Sequence, residues 1–191
     1  MNTPSTTEYQ LIDGARKSLA RLRFTIKPLD DATYTRESAA LPGSTIGKHV
    51  RHIIEHFTLL TQAINTKQPL AVNYAARNRD QAIESSVQKG LESITAVADP
   101  QMSTCLELLE SGKLSLRTPV RVVDTLPSGM ESSLMSTLGR ELWFCTHHMI
   151  HHNAIIASLL HEAGMSAPRE FAYAPSTVKH GQKEAEQKQN D

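Results

Sequence analysis

A chain of 191 residues, of which 39% are hydrophobic and 21% charged, has the length and the composition of one globular domain. Its 20 basic and 20 acidic residues cancel, so it lacks the basic excess that is typical of proteins that bind nucleic acids or membrane surfaces. No stretch is apolar over the length of a membrane span, and the first residues do not resemble a secretion signal, so we expect a cytoplasmic protein.

Apolar residues at helical spacing predict a first helix over residues 8–22. After a loop that contains Pro and Gly, Ser44 or Thr45 is predicted to cap a second helix that ends near residue 65. The stretch 67–84 is polar and irregular. A third helix is expected from about residue 85 to the residue before Asp99, because proline disfavours helical geometry in the residue that precedes it.

A short helical piece is predicted over residues 102–109, and the β-branched residues that follow predict a small hairpin over about 114–135. The strongest helix begins after residues 133–136 and reaches about residue 163, with Gly164 as its stop signal. These elements predict an all-α, four-helix-bundle domain over residues 8–165, with the hairpin as an insertion. We expect residues 1–7 to be flexible and the polar end of the extension 166–191 to be disordered.

The last predicted helix carries two overlapping HxxxH pairs, His147 with His151 and His148 with His152. Residues four apart share a helix face, so either pair could chelate an ion. At about 100° per residue, His148 lies about 40° from His152, and both fall within the apolar stripe of the helix. The pattern therefore directs His148 and His152 to the interior and the other pair to the rim.

Two interior histidines on adjacent turns would share one pocket, where protonating both is costly. A metal ion satisfies both rings and keeps them neutral. A third ligand could come from the second predicted helix, which carries His49, His52 and His56. Helical periodicity favours His49 and His56 over His52, so the residues alone leave this choice open.

The segment from Ser44 to Ile53, STIGKHVRHI, followed much later by His148-x-x-x-His152, resembles the DinB/YfiT superfamily of four-helix bundles. The resemblance covers roughly residues 8–165. It implies a metal site of three histidines, and the positions that match are His52, His148 and His152. The sequence departs from the family pattern after the last histidine, where Asn153 and Ala154 stand, which leaves the chemistry of the pocket undecided.

Three neutral imidazoles suit zinc, nickel or iron(II), and three protein ligands leave a coordination position for water or substrate. The resemblance implies a metal-dependent enzyme of the thiol transferase, isomerase or hydrolase type that acts on a small-molecule substrate with a low-molecular-weight thiol. The alternative is a non-catalytic binding or stress-response module with a structural metal. A third reading, a metal-free helical scaffold, predicts that His148→Ala costs only packing.

Two further residues on the last predicted helix fall near the histidines. Glu141 could accept a hydrogen bond from a ligating ring, or could simply favour the helix start. Cys145 could reach the pocket or be an inert buried thiol. With only Cys105 besides, a disulfide framework is not expected. Trp143 and Ile150 lie on the opposite face, where they suggest a packed segment or a homodimer contact.

Overall fold

The computed structural model describes residues 6–66, 69–76 and 78–190, and most of them are helical. The helices are α1 (Thr7–Ile26), α2 (Asp31–Thr35), α3 (Ile46–Ile64), α4 (Gln81–Ser85), α5 (Val87–Ala96), α6 (Met102–Glu110), α7 (Leu138–Glu162) and α8 (Pro175–Asn190). The strands are β1 (Leu70–Asn73), β2 (Pro119–Thr125) and β3 (Glu131–Thr137). The mainly helical class is confirmed. The finer prediction of a four-helix bundle is not confirmed.

Helices α1, α3 and α7 form where apolar stripes and capping residues coincide. Thr45 caps α3 by accepting a hydrogen bond from the backbone N–H of Lys48 at 3.1 Å, and Thr137 caps α7 in the same way. Gly164, with a φ of +74°, follows the end of α7 and has the left-handed backbone that helix stops favour. The core lies between these helices, because α7 packs against both α1 and α3.

The predicted helix end before Pro100 is wrong. The chain continues from α5 through a π-helical segment, Val97–Gln101, into α6. Proline cannot donate the usual helical hydrogen bond and its ring crowds the preceding turn. The wider π turn accommodates that ring without breaking the helical path.

The predicted hairpin is confirmed, although it extends to Thr137, so α7 begins later than the sequence predicts. Strands β2 and β3 pair antiparallel from Pro119 opposite Thr137 to Thr125 opposite Glu131. The sequence did not predict β1, which pairs parallel with the other edge of β2. Strand β1 contradicts the irregular structure expected over 67–84, and it leads directly into Tyr74 beside α7.

The sequence predicts disorder near the C-terminus, whereas the structure has a helix there, α8, over Pro175–Asn190. Most of the predicted flexible N-terminus, residues 1–5, lies outside the described residues. Among those described, no helix combines the length and the apolar character that a membrane span requires.

Candidate metal centre

Five histidines from two helices meet where α3 packs against α7. The first of these helices contributes His49, His52 and His56, and the second contributes His148 and His152. Steps of three and four residues place each set along one side of its helix. The contact between the helices therefore brings sequence-distant imidazoles together.

Ring nitrogens of two other histidines lie close to the Nε2 atom of His148. The Nε2 atom of His148 lies 2.7 Å from Nε2 of His52 and 3.1 Å from Nε2 of His152. A second grouping overlaps with this one: His52, His56 and His148 offer ring nitrogens that all lie within 4.8 Å of one another. Three histidines could thus form a metal site, and His52 and His148 belong to both sets.

The converging nitrogens fit a cation better than they fit hydrogen bonds alone. A ring nitrogen of a neutral imidazole makes one hydrogen bond, as donor or as acceptor. His148 Nε2 faces two other Nε2 atoms at hydrogen-bonding distance, so one proton cannot satisfy both contacts. In tetrahedral zinc coordination, ligand nitrogens lie about 3.3 Å apart. The two separations at His148 Nε2, 2.7 and 3.1 Å, lie near that value.

The two remaining histidines, His49 and His56, each contact one of these three residues. His49 Nδ1 lies 2.8 Å from Nδ1 of His152, and its Nε2 lies 2.7 Å from the hydroxyl oxygen of Ser44. His56 donates from Nδ1 to the backbone carbonyl of His52 at 2.9 Å. These contacts engage both ring nitrogens of His49 and the Nδ1 atom of His56, and they orient the two rings.

Burial favours the neutral form of two of these rings, His152 and His49, and neutral imidazole is the form that ligates a metal. His152 is only 8% exposed. Burial, with help from the nearby His148, His49, His151 and His56 rings, lowers the pKa of His152 to about 3. Burial also lowers the pKa of His49, and His151 adds to that effect. The chemistry of the donor set thus agrees with its geometry.

Aromatic side chains stack on two of the histidines. Phe144 stacks on His148 with ring centroids 5.2 Å apart and planes 16° from parallel. Tyr74 stacks on His56 at 5.0 Å and 18°. The guanidinium carbon of Arg140 lies 4.9 Å from the ring centre of Phe144. These rings cover one face of His148 and one face of His56.

Glu141 does not serve the ligand rings in the way that one sequence hypothesis proposed. Its fully buried carboxylate accepts hydrogen bonds from the hydroxyls of Tyr74 at 2.9 Å and Ser136 at 2.6 Å, and from Arg140 at 2.9 Å. Its link to the histidines is indirect, through Tyr74. Burial raises the pKa of the nearby Cys145 thiol to about 12, which favours the inert thiol over a reactive one.

The sequence located the histidines better than it located their surroundings. Phe144 lies one turn before His148 on the same helix, so helical spacing could have identified it. Tyr74 follows a four-residue strand whose partner strand is distant in sequence, and no local pattern indicates it. Trp143, predicted to face away, is 47% exposed and stacks on His147.

Comparisons with known proteins identify a family and a similar fold. The family model of the DinB superfamily matches residues 15–156, which include every histidine of the cluster. FK506-binding protein 5 of Rhizopus delemar is 29% identical over 157 residues. That match covers 81% of this chain and 33% of the relative, so the chain spans about a third of the length of that protein.

A solved structure shows a similar fold. A DinB-like protein from Bacillus cereus ATCC 10987 superposes with a TM-score of 0.51 at 16% sequence identity. The match covers 79% of this chain and 89% of the Bacillus chain. At this identity the likeness concerns the fold alone.

Proposed function

The chain belongs to the DinB superfamily, and from that premise we propose that it binds one divalent metal ion through His52, His148 and His152. The observation that carries the proposal is the approach of two Nε2 atoms, from His52 and His152, to the Nε2 atom of His148. Neutral nitrogen donors of this kind suit zinc, nickel or iron(II) rather than magnesium or calcium. The match of His152 to the family pattern supports it as the third ligand, because the far nitrogens of His152 and His56 are both engaged and do not decide between the two.

The proposed ligand set leaves a coordination position open, which is the pattern of catalytic rather than structural zinc sites. A bound metal supplies Lewis acidity, which lowers the pKa of a water or thiol placed against it. The protein's own part is to hold three rings in fixed tautomers and to exclude water with Phe144 and Tyr74. We propose a thiol transferase, isomerase or hydrolase reaction on a small-molecule substrate, with a low-molecular-weight thiol as the partner.

His56 favours the alternative, a non-catalytic module with a structural metal. Its ring is 7% exposed and offers a nitrogen within 4.8 Å of those of His52 and His148. A fourth imidazole that moved onto the ion would complete a tetrahedral shell and leave no position for substrate. The two functions therefore differ in whether His56 is a ligand.

The metal content of purified, untagged protein tests the proposal. Elemental analysis should find near-stoichiometric zinc, nickel or iron in the wild type and little in His52→Ala, His148→Ala or His152→Ala. The variants His56→Ala and His161→Ala should retain the metal. His161 is a matched control because it lies on α7 as an exposed residue in the last turn.

The opposite results are distinguishable. Wild-type protein that takes up none of the three metals would overturn the proposed function. Metal lost from His56→Ala but kept by His152→Ala would replace His152 with His56 in the ligand set. Loaded protein that shows no turnover with a panel of thiols and esters would favour the structural alternative.

A further inference from the structure

His49 and Ser44 form a short chain of polar contacts that ends on His152. The two Nδ1 atoms of His49 and His152 lie 2.8 Å apart, with ring centroids at 5.0 Å. The other nitrogen of His49 lies 2.7 Å from the Ser44 hydroxyl. The three groups thus make a continuous line from the loop before α3 to the candidate metal centre.

Only one arrangement of protons along this line suits metal binding. A ligating Nε2 of His152 must carry a lone pair, so the proton of that neutral ring lies on Nδ1. That Nδ1–H then donates to Nδ1 of His49. The proton of His49 consequently lies on its Nε2, which donates to the hydroxyl oxygen of Ser44. In this arrangement each of the two contacts has one donor and one acceptor. The reverse arrangement would place a proton on the Nε2 atom of His152, which has to ligate the metal.

Backbone hydrogen bonds hold Ser44, the last group in this chain of polar contacts, in place. The N–H of Ser44 donates to the carbonyl of Leu41, and the carbonyl of Ser44 accepts from the N–H of Ser38, both at 3.0 Å. Thr45 then caps α3, which fixes the helix one turn before His49. The hydroxyl therefore stands at the start of a rigid helix rather than on a free loop.

We propose that His49, backed by Ser44, is the positioning residue of the metal centre: it holds His152 in the tautomer and orientation that ligation needs, without being a ligand. The inference rests on the proposed function. Ligating histidines usually donate their second ring N–H to a carboxylate, a backbone carbonyl or water, and this hydrogen bond influences metal affinity. Here a neutral imidazole takes that place, so the centre gains orientation without an added negative charge.

Zinc affinity measured by competition with a chromophoric chelator tests the role of His49. His49→Ala should keep the stoichiometry of the wild type but bind zinc roughly 10–100-fold more weakly, as is typical when such a partner is lost. His49→Gln should recover part of the affinity, because its side-chain carbonyl oxygen can accept the same proton. Ser44→Ala should show a smaller loss, and His161→Ala should match the wild type.

The visible absorption spectrum of the cobalt(II)-loaded protein separates positioning from ligation. A positioning role leaves the number of nitrogen ligands unchanged, so His49→Ala should keep the band pattern of the wild type. Wild-type affinity in His49→Ala would overturn the inference. So would a loss as complete as that in His148→Ala with an altered spectrum, since His49 would then be a ligand. Absence of metal from the wild type would instead overturn the proposed function itself.

Discussion

Gly47 lies at a close approach between α3 and its neighbours. A Cβ atom added there would overlap the backbone carbonyl oxygen of Glu84 and lie 2.8 Å from the Cε1 atom of Tyr34. Tyr34 is itself fully buried and donates to the carbonyl of Ile83 at 3.0 Å. Neither neighbour can withdraw easily, so the absence of a side chain at residue 47 allows α4 to pack against the first turn of α3.

Gly47→Ala should therefore lower the free energy of unfolding by roughly 1–3 kcal/mol, the usual cost of overpacking. Gly14→Ala is the matched control, because it is also a helical glycine but has nothing within 4 Å of an added Cβ. That control should gain up to about 1 kcal/mol from the higher helix propensity of alanine. Urea denaturation followed by circular dichroism measures both, and equal stability of the two variants would contradict the close packing.

The histidines show what sequence reasoning can resolve at the scale of single residues. Helical periodicity correctly placed His148 and His152 toward α3. It favoured His49 and His56 over His52, yet His52 contacts His148, because the three residues differ in which ring nitrogen meets which neighbour. Side-chain torsions and the exact approach of α7 decide which ring nitrogen meets which neighbour. Neither can be derived from the spacing of the residues.

At the scale of elements, hydrogen bonds hold both ends of α7. Its start is capped by Thr137. Its end is held by Glu162, whose carboxylate accepts from the hydroxyl of Ser38 at 2.8 Å and from the backbone N–H of Ala39 at 2.9 Å. These hydrogen bonds to the charged form lower the pKa of Glu162 below its ordinary value, with the Ser38 hydroxyl as the largest cause. The loop before α3 and the end of α7 are thereby joined.

Glu162→Gln should destabilise the protein near neutral pH, and the difference from the wild type should shrink in acid. The folded pKa lies below the unfolded one, so the contribution is fully present above the unfolded value. It is lost as the pH falls through the folded value. Urea unfolding at pH 7 and near pH 3 measures the change. A difference that stays constant with pH would show that the charge of Glu162 contributes nothing to stability.

Elements with strong local signals were predictable and those held by distant partners were not. α3 shows a continuous apolar stripe behind a capping threonine, and its predicted limits were nearly correct. β1 has only four residues and pairs with a strand about 50 positions later, so its stability comes from tertiary contact. Pro100 misled the prediction because a proline normally ends a helix, whereas here a π turn absorbs it.

For the whole molecule, the class of fold and the place of the candidate site could be predicted, while the sheet beside the site could not. Ser136 of β3 and Tyr74, which directly follows β1, converge on the buried carboxylate of Glu141 in α7. The predicted cluster thus sits against a polar network that joins separate parts of the chain. A metal ion bound by the histidines should consequently affect the stability of the entire domain.

Zinc should raise the midpoint of thermal unfolding of metal-free wild-type protein and leave that of His148→Ala unchanged. An ion that binds only the folded state adds about 2.7 kcal/mol at a free concentration of about 100 times Kd. In a domain of this size that corresponds to a rise of about 5–10 °C. Thermal melts with zinc and with a chelator measure the effect. An equal rise in both proteins would place the stabilising ion elsewhere.

The sequence separation of the candidate ligands has a consequence for folding kinetics. His52 and His148 are 96 residues apart, and their nitrogens meet only after α3 and α7 have docked. An ion held there would act as a removable cross-link across a long loop, closed late in folding. Contacts absent from the transition state slow unfolding and leave folding almost unchanged. The bound metal would therefore lengthen the lifetime of the native state rather than hasten its formation.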